Sequence, residues 1–576
     1  MNVFAVWAPL AERVELQLED RRLAMARDED GWWSVEAEAG SGSDYAFRVD
    51  GGDPLPDPRS PWQPHGVHGP SRCVDHGAFS WNDARWQAPP LSSALIYELH
   101  VGTFTPEGTF DAVIGKLGHL RDLGVSHVEL MPVNAFAGAR GWGYDGVDLY
   151  APHEAYGGPD GLKRLVDACH REGLAVILDV VYNHLGPEGA YLGRFGPYFS
   201  EGYATAWGPA VNLDGPHSDG VRAFIVDNAL MWLRDYHIDG LRLDAVHAIV
   251  DTSAVHILEE LAAATRDLAA RLGRHLFLIA ESNRNDPRVV TSWERGGYGL
   301  DAQWSDDLHH AIHTVLTGER DGYYRDFGRL EHLAKALTDV FVYDGRYSPF
   351  RQRRHGRPVG DLPADRFVTC LQNHDQIGNR ARGERIGHLV SERLLRVGAA
   401  LALTAPMVPL LFQGEEWGAG APFQFFTDYQ DPALADAVRA GRRGEFAAFG
   451  WDPEEIPDPQ APETFRRSTL DWDEIGREPH ASILDWHRRL IGVRRTHPDL
   501  ATGRRDAVHA WYDQAERWLA FTRGSITVAC NLAARRVSVP LPTHRPRRVL
   551  LASDAPLAVH ETRVDLPPEA VIVLGP

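Results

Sequence analysis

Three carboxylates each close a short apolar run. Asp244 ends Gly240-Leu241-Arg242-Leu243-Asp244, Glu281 follows Ile279-Ala280, and Asp375 stands in Gln372-Asn373-His374-Asp375 after Phe367-Val368-Thr369-Cys370-Leu371. Apolar runs of four to eight residues bounded by polar ones read as buried strands, so three acids at three strand ends can collect in one polar centre. Glycoside hydrolysis is the chemistry such a set can do. It needs a carboxylate beside the anomeric carbon, a carboxyl that protonates the leaving oxygen, and stabilisation of an oxocarbenium-like state. That work asks for no metal or organic cofactor, and none is expected. Taken singly, each motif has a plainer reading: Arg-x-Asp at a strand end is more often a structural ion pair, and Asn-His in a loop usually caps or packs. The conjunction is what points to a site.

The bulk properties restrict the partners. A chain of 576 residues exceeds the size of a single hydrophobic core, so two to four domains are expected. Its 80 acidic against 59 basic residues give a formal charge of −21, which argues against a general affinity for nucleic acid or anionic membranes. A neutral sugar is indifferent to that field. Cys73, Cys169, Cys370 and Cys530 are scattered without C-x-x-C spacing, so neither a disulfide framework nor a zinc site is signalled. The N-terminus lacks a basic region ahead of an apolar stretch, and no apolar span of membrane length follows. A cytoplasmic protein is therefore expected.

The elements that must position the acids follow from periodicity. Residues 1–88 alternate short apolar strands (Val3 to Trp7, Val14 to Leu18, Trp32 to Val35, Tyr45 to Val49) with Asp-Gly and Gly-Ser-Gly turns, the pattern of a small β-sandwich. From residue 89 the rhythm becomes strand, loop, amphipathic helix. Eight strands are predicted: Ile96 to His100, Val125 to Met131, Leu174 to Val181, Gly240 to Asp244, Leu276 to Glu281, Leu300 to Trp304, Phe367 to Leu371 and Met407 to Phe412. Phe110, Val113, Leu117, Leu120 and Leu123 recur at steps of three and four, one face of a helix. Eight such alternations favour an α/β fold of the (β/α)8 TIM-barrel type over residues 89–498, with the active face at the carboxyl ends of the strands, where all three acids fall. Irregular stretches at 185–219 and 414–477 leave that same face and are read as insertions that shape a cleft. A last helix is predicted over Ser482 to Thr496, and residues 499–576 return to strands as a small C-terminal β-domain.

Asp179-Val180-Val181-Tyr182-Asn183-His184, Leu241-Arg242-Leu243-Asp244, Ala280-Glu281 and Asn373-His374-Asp375 resemble, in order, the four motifs of the α-amylase superfamily, glycoside hydrolase family 13. The likeness extends to Phe4-Ala5-Val6-Trp7-Ala8-Pro9, which resembles the start of a starch-binding-type sandwich. It implies that Asp244 is the nucleophile, Glu281 the general acid and base, and Asp375 the residue that holds and distorts the reacting sugar. It further implies that Arg242 aims Asp244, that His184 and His374 bond sugar hydroxyls, and that configuration is retained, with the two carboxyls only about 5 Å apart. The chemistry itself divides the labour the same way, since Glu281 has to keep a proton that burial and a neighbouring anion would hold on it. Asp179, set before the end of its strand, is expected to support the site by hydrogen bonds. In Trp142-Gly143-Tyr144-Asp145, Tyr144 offers a ring to the reacting glucose and Asp145 a carboxylate to its hydroxyls.

Longer stretches narrow the resemblance. Gly102 to Phe110, Asp301 to His310, Gln372 to Arg380 and Pro422 to Asp428 closely resemble malto-oligosyltrehalose trehalohydrolases, relatives of the glycogen branching enzymes by domain plan. The implied partner is an α-1,4-glucan oligosaccharide carrying a terminal trehalose. Asn283, Asn285, Trp304, Asp306, Asp307 and His309 are then candidates to recognise the trehalose, although the two aspartates suit a helix cap equally well. The acids alone leave open a branching enzyme or 4-α-glucanotransferase with the same residues, and a non-catalytic glucan-binding protein. A metal-dependent phosphotransfer barrel lacks its glycine loop and ligand cluster. The 185–219 insertion carries few candidate calcium ligands beyond Glu188, Glu201, Asp214 and Asp219, so no required metal is predicted.

Overall fold

The protein is described from a computed structural model covering residues 2–447, 453–542, 548–554 and 558–576. Eight parallel strands close a barrel: β1 (Ile96–Leu99), β2 (His127–Leu130), β3 (Ala175–Val180), β4 (Gly240–Leu243), β5 (Phe277–Ala280), β6 (Ala302–Trp304), β7 (Phe367–Cys370) and β8 (Val408–Phe412). They pair in chain order around the ring, and Leu410 of β8 lies against Ile96 of β1 to close it. All eight coincide with the predicted runs, each trimmed by a residue or more at one end or both. Buried strands of three to six residues read as continuous apolar segments because helices cover their outer faces.

Register decides what meets inside. Asp179 pairs with Arg242 across β3 and β4, and Glu98 pairs with Glu129 across β1 and β2. Four ionisable side chains are thereby held on two neighbouring strand pairs of a closed barrel. Gly240 opens β4 because a Cβ there would lie 2.1 Å from the Phe277 ring of β5.

The outer helices obey the expected alternation with one departure. Gly158–Arg171 precedes β3 and buries Leu162, Leu165, Val166 and Cys169, and Ser218–Asp235 and Ile257–Leu272 flank β4. Each buried aliphatic chain contributes about 1.5–3 kcal/mol relative to exposure. Between β5 and β6 the chain forms two short 3-10 turns, Pro287–Val289 and Trp293–Arg295, where a helix was expected. Asp286-Pro287 and Gly296-Gly297 explain this, since proline lacks a donor and glycine has little helix preference.

The N-terminal strands form two antiparallel sheets, one containing Asn2–Trp7 and Trp32–Ala37, the other Val14–Leu18 and Asp44–Val49. The chain leaving them is pinned to the foot of the barrel. Trp86 donates to Asp239 and stacks on His170, whose two ring nitrogens lie 2.8 Å from Asp83 and 3.0 Å from Asp239. The insertion after β3 carries an antiparallel hairpin, Phe199–Thr205 with Gly208–Val211. The insertion after β8 is described except for residues 448–452. No described helix is long and apolar enough to cross a membrane.

At the C-terminus a five-stranded and a three-stranded sheet pack beyond the final barrel helix, His480–Thr496. Two buried arginines staple this end. Arg494 donates to the carbonyls of Leu403, Ala405 and Met407, and Arg523 to those of Thr404 and Ala405, just ahead of β8. Arg494→Met leaves the Leu403 and Met407 carbonyls buried without this donor, at about 1–3 kcal/mol each. Urea unfolding is expected to show a loss of that size with little change in turnover at 25 °C; an unchanged midpoint would contradict the staple.

Candidate active site

Arg242 is wholly buried, and three acids at the mouth of the barrel, Asp179, Asp244 and Glu281, converge on it. Its Nη1 donates to Asp179 Oδ1 and Oδ2 at 2.8 and 2.7 Å and to Asp244 Oδ1 at 2.9 Å, while Nη2 lies 3.3 Å from Glu281 Oε2. The Trp304 ring covers the guanidinium at 4.4 Å. Asp244 is held a second time by Asn183 Nδ2, which donates to its Oδ2 at 2.8 Å and to its main-chain oxygen at 2.9 Å. The next residue, Ala245, adopts a left-handed backbone (φ 39°) that a non-glycine residue enters only at a cost of roughly 1–3 kcal/mol. That turn aims its N–H at Glu281 Oε2, 2.6 Å away.

The electrostatics separate the acids. Burial pushes the Glu281 carboxyl up to about 8; Arg242 opposes the shift, and Asp244 and Asp375 reinforce it. Asp179 is pushed up to about 7 by burial, against the pull of Arg242. Glu281 therefore keeps a proton at neutral pH.

Asp375 lies across the cleft with its side chain 43% exposed. It opens the short helix His374–Gly378, where Asn373 accepts from the Asp375 and Gln376 amides and Gln376 returns a bond to the Asn373 amide. This capping box fixes the direction in which Asp375 leaves the strand. Asn379 donates to Asp375 Oδ1 at 3.1 Å. His374 lies behind, its Nε2 2.8 Å from the Tyr144 hydroxyl, which donates to Asp179 Oδ2 at 2.6 Å. Burial opposes charge on His374, yet Glu98 and Asp375 overcome it and hold the ring up at about 9.

A cleft of about 580 Å³ joins these groups. Tyr144, Asp145, His184, Asp244, Glu281, Asn283, His374 and Asp375 all line it, so most of the residues read from the sequence share one cavity. Arg242 lies beneath the floor. His184 is anchored by the Tyr144 carbonyl at 2.9 Å and carries the Trp207 ring stacked on it at 4.8 Å. A roomier groove of about 730 Å³ beside the N-terminal sheets holds no comparable set: Asp50 there is engaged by the Glu12 and Arg13 amides.

Two expectations change. Trp304 and His309 are 5% and 1% exposed and do not line the cleft. The Trp304 ring points to Arg242, and His309 is tied through both nitrogens to the Leu371 carbonyl and the Tyr324 hydroxyl. Asn285 and Asp307 bond each other at 2.8 Å, and Asp307 Oδ2 accepts from the Val342 and Tyr343 amides, so this pair fastens a loop. Asp306 occupies the cap position of Asp307–Thr317 without a capping bond. Burial, then Asp375 and Asp307, raise it to about 7. It is half-buried, accepts from Gln376 Nε2 at 3.5 Å and does not line the cleft.

Sequence reasoning missed several lining residues. Trp207, 51% exposed on the β3 hairpin, and Phe425 and Tyr429 of the β8 insertion offer aromatic walls, and His247 and Asn379 offer polar ones. The signal available for the aromatics was their presence in irregular segments, where packing does not call for them. Two acids of the β3 insertion are otherwise engaged: Glu188 accepts from the Gln430 amide and Asp214 from Thr252. Among the described residues no group of three or more His, Cys, Asp or Glu could hold a metal ion.

Comparison with known proteins agrees with this geometry. Residues 72–197 match the family described as alpha amylase, catalytic domain; residues 2–63 match carbohydrate-binding module 48 (isoamylase N-terminal domain), and residues 503–573 match a domain of unknown function. A malto-oligosyltrehalose trehalohydrolase of Arthrobacter ramosus is 53% identical over 93% of this chain and 94% of its own. That of Saccharolobus solfataricus is 47% identical over 85% of each. The crystal structure of a putative alpha amylase from Salmonella typhimurium superposes with a TM-score of 0.91 at 39% identity, covering 100% of this chain and 97% of that one. A 1,4-alpha-glucan branching enzyme of Corynebacterium jeikeium is more distant, 28% identical over 72% of this chain and 60% of its own. The chain belongs to the malto-oligosyltrehalose trehalohydrolase family of the α-amylase superfamily.

Proposed function

We propose that the protein hydrolyses the α-1,4-glucosidic bond next to the terminal trehalose of malto-oligosyltrehalose, releasing trehalose and a malto-oligosaccharide. The observation that carries the mechanism is the sharing of one guanidinium by Asp244 and Glu281, on different amino groups. A retaining pair needs its two carboxyls about 5 Å apart, and acids held on neighbouring amino groups of one guanidinium suit that requirement. Asp244 attacks the anomeric carbon while Glu281 gives its proton to the departing glucosidic oxygen of the trehalose. Glu281, now a carboxylate beside Arg242, then takes a proton from water, which displaces Asp244 from the sugar. Asp375 holds hydroxyls of the reacting glucose, with Tyr144, Asp145, His184 and His374 around it. Asn283, two residues past the acid and lining the cleft, is the first candidate to meet the trehalose, with Asp306 behind it. We place the reaction in the cytoplasm, since all four cysteines are free thiols, as a reducing compartment keeps them.

Incubation with malto-oligosyltrehalose and, separately, with malto-oligosaccharides of the same length tests the substrate. Free trehalose from the first is expected; new α-1,6 branches would transfer the chain to the branching enzymes. Asp244→Asn is expected to lower kcat by about 10³-fold or more, as removal of a nucleophile does elsewhere. A variant that keeps most of its rate would remove Asp244 from that role.

The Glu281 shift also predicts a stability profile. Its value of about 8 lies above the usual 4.5. Below 4.5 the folded and unfolded chains both hold the proton. As pH rises from 4.5 to 8 only the unfolded chain gives it up, so folding weakens across that window. Glu281→Gln cannot ionise and is expected to be increasingly more stable than the wild type from pH 5 to pH 8, levelling off above. Thermal unfolding at pH 5, 7 and 8.5 reads this, and a difference that does not vary with pH would contradict it.

A further inference from the structure

Glu98 closes the polar chain at its far end from the reacting acids, and no role has yet been given to it. It lies within Ile96–Leu99, 1% exposed, a single charge in an otherwise apolar strand. Its Oε1 is bonded to His374 Nδ1 and its Oε2 accepts the His374 amide at 3.1 Å, so one carboxylate grips both the ring and the backbone of the same residue. The rest of the chain gives each proton a direction. Arg242 Nη1 donates to both oxygens of Asp179, which marks Asp179 as an acceptor; the Tyr144 hydroxyl gives its proton to Asp179 and has only a lone pair left for His374 Nε2. His374 must then donate from Nε2 to Tyr144 and from Nδ1 to Glu98. A ring that donates from both nitrogens is an imidazolium.

We propose that Glu98 is a positioning residue for the glycosidic reaction: it holds His374 as a doubly donating, cationic ring whose Nε2 serves the Tyr144 hydroxyl and Asp375 in the glucose pocket. Nε2 lies 3.7 Å from Asp375 Oδ1, so the same cation steadies the acid that faces the sugar. The remaining neighbours of His374 can be named. Arg242 opposes its charge. Glu129, wholly buried beside Glu98, is held protonated by burial first and then by Glu98 and Asp179, and so adds no anion. His100 is pushed down to about 4 by burial and stays neutral. The rings of Trp142 and Trp304 stand at 5.7 and 6.2 Å. Glu98 is thus the anion in hydrogen-bond contact with the ring, and the assignment rests on the mechanism proposed above.

Glu98→Gln tests it with almost no change of shape. The amide cannot accept a proton from Nδ1 without turning away from the His374 amide, and it carries no charge. We expect kcat at pH 7 to fall about 10–100-fold, as loss of a carboxylate behind a functional histidine does elsewhere, with KM changed much less. In the wild type the Glu281 proton is lost before that of His374 and sets the basic limb of the kcat profile; without its anion His374 should lose its proton first, so the limb moves acid by one pH unit or more and part of the rate returns on acidification. Glu98→Asp, which keeps the charge, should leave the limb where the wild type has it. In a His374→Gln background, Glu98→Gln should cost nothing further. A limb that does not move in Glu98→Gln, or a full additional loss in the His374→Gln background, overturns the proposal, and a merely structural role would lower the rate equally at every pH. The profile is read on whichever α-1,4-glucan the wild type cleaves. Failure to release trehalose therefore counts against the proposed substrate, and an unmoved limb counts against Glu98.

Discussion

One buried positive charge organises the site. Arg242 has no exposure, and an isolated guanidinium in such a place would be prohibitively unstable, since removing one partner of a buried pair typically costs 3–5 kcal/mol. It is surrounded by Asp179, Asp244 and Glu281, more negative charge than it can balance. The excess is relieved by protons, and the lower-dielectric surroundings decide where they stay. Glu281 meets Arg242 at the longest of the three contacts and feels both Asp244 and Asp375, so it is the carboxyl held protonated. The proton a leaving group needs is thus a consequence of overcrowding around one cation.

The fold's contribution is to make that crowding unavoidable. Barrel closure sets Asp179 and Arg242 side by side in register, and the two-residue step from Arg242 to Asp244 returns the aspartate to the same side of β4. The left-handed turn at Ala245 then brings its amide under Glu281. Arg242 is the one long side chain involved, and complete burial under the Trp304 ring holds it in place. Strands of three to six residues, covered outside by helices and sealed near β8 by Arg494 and Arg523, leave little freedom for the acids to separate.

Much of this was legible in the sequence because it is written in periodic and local terms. The eight strands show as apolar runs, and the acids stand at their ends. Orientation was harder. Trp304 ends a strand and His309 follows it, as sugar-binding residues would, yet Trp304 turns to Arg242 and His309 packs between Leu371 and Tyr324, choices set by neighbours far away in the chain. Asn285 and Asp307 were read as ligand-facing and instead bond each other, a pairing that no spacing announces. The missing helix between β5 and β6 was foretold by Asp286-Pro287 and Gly296-Gly297, which the eightfold rhythm outweighed. Glu98 was visible as a lone charge in an apolar strand, a pattern that buried groups seldom show without a partner.

What separates relatives with the same acids lies outside the four motifs. The grouping of Arg242, Asp244 and Glu281 does not by itself choose between water and another sugar as acceptor, so selection must come from the walls of the cleft. Those walls are built by insertions from different strands that are tied to one another. Asp428, beyond β8, pairs with Arg140 and accepts from the Ala139 amide at 2.8 Å in the loop after β2. Glu188, beyond β3, accepts the Gln430 amide at 2.9 Å. Tyr429 stands between these two ties, Phe425 packs edge-on against Trp142, and Trp207 is set by its stacking on His184. A substitution at Asp428 would therefore displace an aromatic wall without touching an acid, and divergence within the superfamily can proceed through such contacts while the chemistry at Arg242 stays the same.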